Sequence, residues 1–159
     1  MKKLTFIIMA LVLSSLTFAQ NKPYDESIDV VKQIQTAVTK AKAENKYVLA
    51  QVGGNWCPWC LKFAQYAQDT KAVKEIIDKN FVYIHVNWFR EREKNQYVTD
   101  NLGNPGRFGF PVFVLLDGEG KIVHIQDSEY LEEGQGYSEK KVVRFLSKWT
   151  PEAVKTAKR

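Results

Sequence analysis

The tetrapeptide Cys57-Pro58-Trp59-Cys60 constrains this chain more than any other feature, because it holds the only two cysteines and stands where a strand pattern gives way to a helix pattern. Tyr47-Val48-Leu49-Ala50-Gln51-Val52 is short, mostly apolar and stopped by Gly53-Gly54, which reads as a buried strand. A helix is expected to start around Cys57-Pro58, to run through Lys62-Phe63-Ala64 and to break or bend near Asp69-Thr70. Two thiols three residues apart on a helical turn have Cα atoms about 5 Å apart, within the range a disulfide accepts. The same sulfurs can then exchange between dithiol and disulfide with little backbone movement, which is the geometric requirement for a reversible two-electron couple.

The two positions are not equivalent. Cys57 falls at or just before the first helical residue, where unpaired N–H groups and the positive end of the helix dipole favour an anion. Its thiol is expected to ionise more readily than free cysteine and to be the attacking group. Cys60, a turn further in and shielded by Trp59, is expected to resolve the mixed disulfide. Pro58 suits the first helical position, having a fixed φ and no N–H to leave unpaired. Trp56 offers a flat apolar wall beside the nucleophile. Two other readings of the pair stay open, a permanent structural disulfide and half of a metal site completed by His85 and His124.

The flanking pattern is α/β. Ile28, Val31, Ile34, Val38 and Ala41 recur at three- and four-residue steps and predict a helix from about Asp25 to Glu44, ended by Asn45-Lys46. A helical turn or two is expected at Ala72–Lys79 and a second buried strand at Phe81–Val86. Residues 89–110 are irregular, with the mixed-charge run Arg90–Lys94 reading as a solvated helical face and Asn104-Pro105-Gly106 as a turn. Val112–Leu116, Asp117-Gly118-Glu119-Gly120 and Lys121–Gln126 form a β-hairpin signal. The acidic stretch 127–137 reads as loop, Ser138–Trp149 as a last helix, and the tail after Pro151 as frayed. A parallel pair joined by a crossover helix and followed by a hairpin makes a central mixed sheet of about four strands, flanked by helices on both faces.

Residues 1–19 read as an address. Met1-Lys2-Lys3 is basic, Leu4–Leu13 almost unbroken apolar sequence, and small residues precede a cut expected after Ala19, the pattern of a secretory signal peptide. That leaves residues 20–159 as one domain, periplasmic or secreted, with no stable membrane insertion after cleavage. About 140 residues can bury close to 68% of their unfolded surface, so the fold does not need a disulfide staple and chemistry is the better reason for the two thiols. Removing Lys2 and Lys3 lowers the formal charge from +5 to +3, too weak a field to argue for nucleic acid. No phosphate-cradling glycine loop follows a strand, and no cofactor or metal is expected.

Gly53-Gly54-Asn55-Trp56-Cys57-Pro58-Trp59-Cys60 after a buried strand, with Phe110-Pro111 opening a later one, resembles the thioredoxin family, in particular its secreted bacterial oxidoreductases, over roughly residues 25–149. The resemblance implies a thioredoxin-like fold and thiol–disulfide exchange with protein substrates and a redox partner protein. It also implies a cis proline at Pro111, packed against the disulfide, and backbone pairing of Phe110 with a bound substrate strand. Two departures bear on the chemistry. The buried acid that cytoplasmic thioredoxins carry on the strand before the motif is Gln51 here, which cannot titrate, so the proton of the resolving thiol must use another group or water. The intervening pair is Pro-Trp rather than Gly-Pro, which points to a potential above thioredoxin's roughly −270 mV. The expectation is an oxidoreductase with Cys57 and Cys60 as the reacting pair and Trp56, Pro58, Trp59, Phe110 and Pro111 contacting substrate; its rival is a non-catalytic binding module with a structural disulfide.

Overall fold

The structure is a computed structural model and describes residues 22–157; the expected signal peptide and its cut after Ala19 lie outside the described residues. Helix α1 is Val30–Ala43, followed by β1, Tyr47–Gly53. Two helices, α2 at Pro58–Asp69 and α3 at Lys71–Asn80, lead to β2, Phe81–Asn87. The irregular stretch holds a 3₁₀ turn at Arg92–Asn95, a short helix α4 at Gln96–Asn101 and a second 3₁₀ turn at Pro105–Phe108. Then come β3, Val112–Leu116, and β4, Ile122–Asp127. After a 3₁₀ turn at Ser128–Leu131, the two-residue strands β5 (Glu132–Glu133) and β6 (Gly136–Tyr137) pair with each other. The chain ends in α5, Glu139–Lys148, and α6, Pro151–Ala157.

The main sheet has the order β2-β1-β3-β4, with β1 parallel to β2 and antiparallel to β3, and β3 antiparallel to β4. Strand alternation sorts the core into two layers. Val48, Ala50, Val52, Val82, Val86, Val112, Val114 and Leu116 pack with Val30, Ile34, Ala37 and Ala41 of α1 and with Val98 of α4. On the opposite face, Leu49, Phe113 and Leu115 meet Phe63 and Ala67 of α2, Val73 and Ile77 of α3, and Val142, Phe145 and Leu146 of α5. β1 is buried along its whole length because both faces are covered, which is why its sequence is a run rather than an alternation.

Several boundaries differ from the sequence expectation, each for a local reason. α1 starts at Val30 rather than Asp25, because Asp25 accepts from the N–H and hydroxyl of Ser27 in a tight turn while Asp29 caps the helix by accepting from Lys32 N. The buried stripe is accordingly Val30, Ile34, Ala37 and Ala41, and Ile28 is exposed. Asn45 ends the helix in the left-handed region, at φ 55°, a conformation asparagine tolerates. The tail after Pro151 is helical through Ala157: Pro151 is its first residue, and Thr150 Oγ1 accepts from Ala153 N. The acidic stretch is ordered too, since Asp127 caps the 3₁₀ turn and Tyr137 packs against Phe63, with ring centroids 4.9 Å apart.

Phe63 is fully buried at the centre of this second layer, 4.4 Å from Phe113 between ring centroids. Phe63→Ala is expected to cost about 3–5 kcal/mol in urea unfolding of the oxidised protein, against under about 1 kcal/mol for the partly exposed Phe108→Ala.

Candidate active site

The site lies where the carboxyl end of β1 meets the amino end of β3, because antiparallel pairing sets Val52 opposite Val112. Gly53 closes β1, and Cys57 N bonds to Gly54 O at 3.0 Å in the turn that follows. Cys57 is the N-cap of α2, extended at φ −103° and ψ 107°, and Pro58 is the first helical residue. Where most helices carry an oxygen cap, here the Cys60 backbone N–H donates to Cys57 Sγ at 3.1 Å. Cys57 and Cys60 are joined as a disulfide with Cα atoms 5.2 Å apart. Cys57 keeps 5% of its surface exposed and Cys60 none, so an incoming sulfur reaches Cys57 first.

The Phe110–Pro111 bond is cis, as the resemblance implies, and Pro111 is buried. The Phe110 carbonyl oxygen lies 3.6 Å from Cys57 Sγ, and the Phe110 ring packs on the cluster formed by Cys57, Cys60 and Tyr24. Trp56 is 43% exposed, its indole N–H donating to Trp88 O at 3.0 Å and its ring edge-on to Phe110 at 5.4 Å. Pro58 is exposed beside it. Trp59 is half-buried: its ring meets Tyr137 edge-on at 5.5 Å, and Lys62 Nζ sits 4.4 Å from the ring centre. Trp59 therefore faces the β5–β6 hairpin as well as the disulfide. The sequence-chosen residues thus come together around one sulfur pair.

Three neighbours escaped the sequence reading. Trp88 supplies the acceptor for Trp56 and packs tilted against Phe110, with centroids 5.2 Å apart. Tyr24, in the polar lead before α1, is 2% exposed and is tied to the motif by a reciprocal pair of bonds with Asn55. Tyr83 of β2 donates to Gln51 Oε1. A tyrosine 33 positions before the motif carries no periodic or spacing signal; only the folded chain brings it to the cysteines.

Gln51 is fully buried and fully satisfied. Its Nε2 donates to Tyr24 Oη at 2.6 Å and to Cys60 O at 2.9 Å, while Oε1 accepts from Tyr83. Burial pushes the Tyr24 and Tyr83 phenols above the ordinary tyrosine range. His85, edge-on to Tyr24 and tilted on Tyr83, is held down to about 4 by burial alone. Among the described residues no group of three or more His, Cys, Asp or Glu is placed to hold a metal ion. His124 stacks on Trp149 at 3.9 Å, so the Cys₂His₂ arrangement is not assembled.

These features define a thioredoxin-like disulfide oxidoreductase fold with a close cysteine pair. A family model described as thioredoxin-like matches residues 29–118, and the chain belongs to that family. Among solved structures it is similar to the disulphide isomerase from Xylella fastidiosa Temecula1, at 25% identity and TM-score 0.70, covering 80% of this chain and 96% of that one. It also matches a DsbH oxidoreductase at 23% identity and TM-score 0.48, covering 76% of this chain and 78% of that one. A curated relative, an uncharacterized protein of Caenorhabditis elegans, is 30% identical over 83 residues, which are 52% of this chain and 11% of the relative's own length.

An imidazole that takes a proton near pH 4 when folded and near 6.5 when unfolded binds fewer protons in the native state across that window. Native stability from this source is complete above pH 6.5 and falls as the pH drops toward 4, by on the order of 3 kcal/mol. In urea unfolding of oxidised protein, His85→Leu is expected to show a shallower loss of stability between pH 6.5 and 4 than the wild type.

Proposed function

We propose that this protein exchanges disulfides with protein substrates through the Cys57–Cys60 couple, after export and removal of residues 1–19. The observation that carries the reading is the Cys60 N–H donating to Cys57 Sγ at the opening of α2, because a sulfur held there as thiolate gains a charge-assisted hydrogen bond that a thiol lacks. The 25% identity to a disulphide isomerase over nearly all of that protein supports the same class of chemistry. Among the described residues no helix is long and apolar enough to cross a membrane, which is compatible with a periplasmic or secreted domain spanning residues 20–159.

In the dithiol form, the Cys57 thiolate attacks one sulfur of a substrate disulfide, and the electron pair leaves on the other substrate sulfur, which takes up a proton. Cys60 then gives up its proton and attacks Cys57 Sγ. The Cys57–Cys60 bond forms, the Cys57–substrate bond breaks, and the second substrate sulfur departs as a thiol. The reverse sequence oxidises a substrate dithiol. Trp56 and Pro58, exposed beside Cys57, give an extended substrate an apolar bed, and Phe110 lines the same bed ahead of the cis Pro111. Trp59 borders it where its ring leaves the Tyr137 contact. A redox partner protein would dock on the same face, since both reactions pass through Cys57.

Cys60→Ser is expected to accumulate mixed disulfides on Cys57 with substrate proteins, visible on non-reducing gels, whereas Cys57→Ser accumulates none. Cys57 in Cys60→Ser is expected to titrate below the roughly 8.5 of free cysteine. Equilibration with glutathione is expected to give a potential above about −270 mV; a value below about −300 mV, together with an unreactive Cys57, would make the bond a structural one.

A further inference from the structure

We infer that the Tyr24 hydroxyl is the hydrogen-bond donor to the Cys60 sulfur when the couple is reduced, so that a neutral phenol held by Gln51 serves the resolving cysteine. This deepens the proposed function and rests on it for its catalytic meaning.

The direction of the Tyr24 proton follows from the Cys60 carbonyl. That oxygen can only accept, so the Gln51 atom 2.9 Å from it is the amide nitrogen. The same nitrogen lies 2.6 Å from Tyr24 Oη, so the phenol oxygen accepts there and its own O–H points elsewhere. Among the described residues no nitrogen or oxygen accepts that hydrogen.

Gly53 shows what lies on the free side. A β-carbon at position 53 would touch both the Cys60 sulfur and the Tyr24 hydroxyl oxygen, the latter at 3.0 Å. The hydroxyl and the sulfur therefore border one small space, kept open by the missing side chain of a residue in ordinary strand conformation. Tyr24 and Cys60 are both essentially inaccessible and share one cluster, so water is a poor competitor for the bond.

The titratable groups about this point are the phenols of Tyr24, Tyr83 and Tyr137, the His85 imidazole and Cys57. None of the phenols acts as a base, because burial holds each above the ordinary tyrosine range. Tyr24 thus stays protonated throughout. As Cys60 attacks the mixed disulfide, its S–H bond is given up, the Cys57–Cys60 bond forms, and the departing substrate sulfur takes up the equivalent proton. The Tyr24 O–H holds the negative charge on Cys60 during the interval, work that a carboxylate in the place of Gln51 could not do by donating.

The test reads the Cys60 thiolate directly. In a Cys57→Ser background, thiolate absorbance is titrated with Tyr24 intact, with Tyr24→Phe and with Tyr83→Phe. The expected result is a rise in the Cys60 pKa of about one unit for Tyr24→Phe, a tenfold loss of acidity, and a clearly smaller rise for Tyr83→Phe, whose hydroxyl anchors Gln51 rather than reaching the sulfur. With both cysteines present, release of glutathione from Cys57 should slow about threefold in Tyr24→Phe, because the tenfold smaller thiolate fraction is partly offset by the greater nucleophilicity of the more basic thiolate. An unchanged Cys60 titration, or equal shifts in both phenylalanine variants, would overturn the hydrogen bond. The wild-type protein gives a second reading that does not depend on a variant folding: the Tyr24 hydroxyl proton resonance should move downfield on reduction, and a resonance that stays put also overturns it. Both readings concern one hydrogen bond and stand apart from the reduction potential, on which the proposed function itself is judged.

Discussion

A sulfur atom caps the second helix, and much of the molecule is arranged so that it can. The Cys60 N–H reaches Cys57 Sγ only because Cys57 holds extended dihedrals directly after a turn that closes β1. That turn is fixed at one end by full burial of β1 and at the other by Pro58, whose ring keeps Cys57 extended and whose fixed φ suits the first helical position. Antiparallel pairing of β1 with β3 then brings the Phe110 carbonyl and Pro111 to the same spot without any long-range loop having to fold over the site. One short polar contact is thus underwritten by a strand buried along its whole length.

Gln51 links that contact to the interior. A side-chain amide with no exposed surface is costly if any of its hydrogen-bonding positions is left empty, by about 1–3 kcal/mol each. Here both ends are used, and the partners come from three different parts of the chain: the lead before α1, the strand β2 and the first turn of α2. The amide therefore positions Tyr24 and Tyr83 as firmly as it is positioned by them. An acid at this point would trade a permanent donor to the Cys60 carbonyl for a titrating group, and Tyr24, which accepts from the amide, would have to turn its hydrogen to meet it.

The mixed sheet could be read from the chain because β1, β2 and β3 are dense apolar runs bounded by turn residues, and burial on two faces leaves that signature. The cysteine pair at a helix start was legible for the same reason: a strand ending in glycines, followed by a proline, leaves few alternatives. What escaped was decided partly by which neighbouring side chain engages a cap and partly by contacts distant in sequence. Asp25 and Asp29 are equally good caps on paper, and only Ser27 engages the first. Pro151 reads as a terminator or as a first helical residue, and packing of Val154 against the α5 layer settles it as the latter. Tyr137 sits in an acidic stretch that looks solvated until its ring meets Phe63 and Trp59.

The same tertiary contacts hold the first turn of α2 without using either sulfur. Tyr137 Oη donates to the Trp59 carbonyl, and Lys62 reaches the Gln135 carbonyl while covering the Trp59 ring, so the β5–β6 hairpin grips the turn from one side. On the other side, the Asn55 side-chain amide accepts from the Tyr24 backbone N–H and donates to its carbonyl, and Gln51 holds the Cys60 carbonyl. The 5.2 Å between the two Cα atoms is close to what one helical turn dictates regardless of the sulfurs. The backbone spacing is therefore imposed by helix geometry and by grips that involve no sulfur. None of the bonds that hold this N-cap in place runs through the disulfide itself.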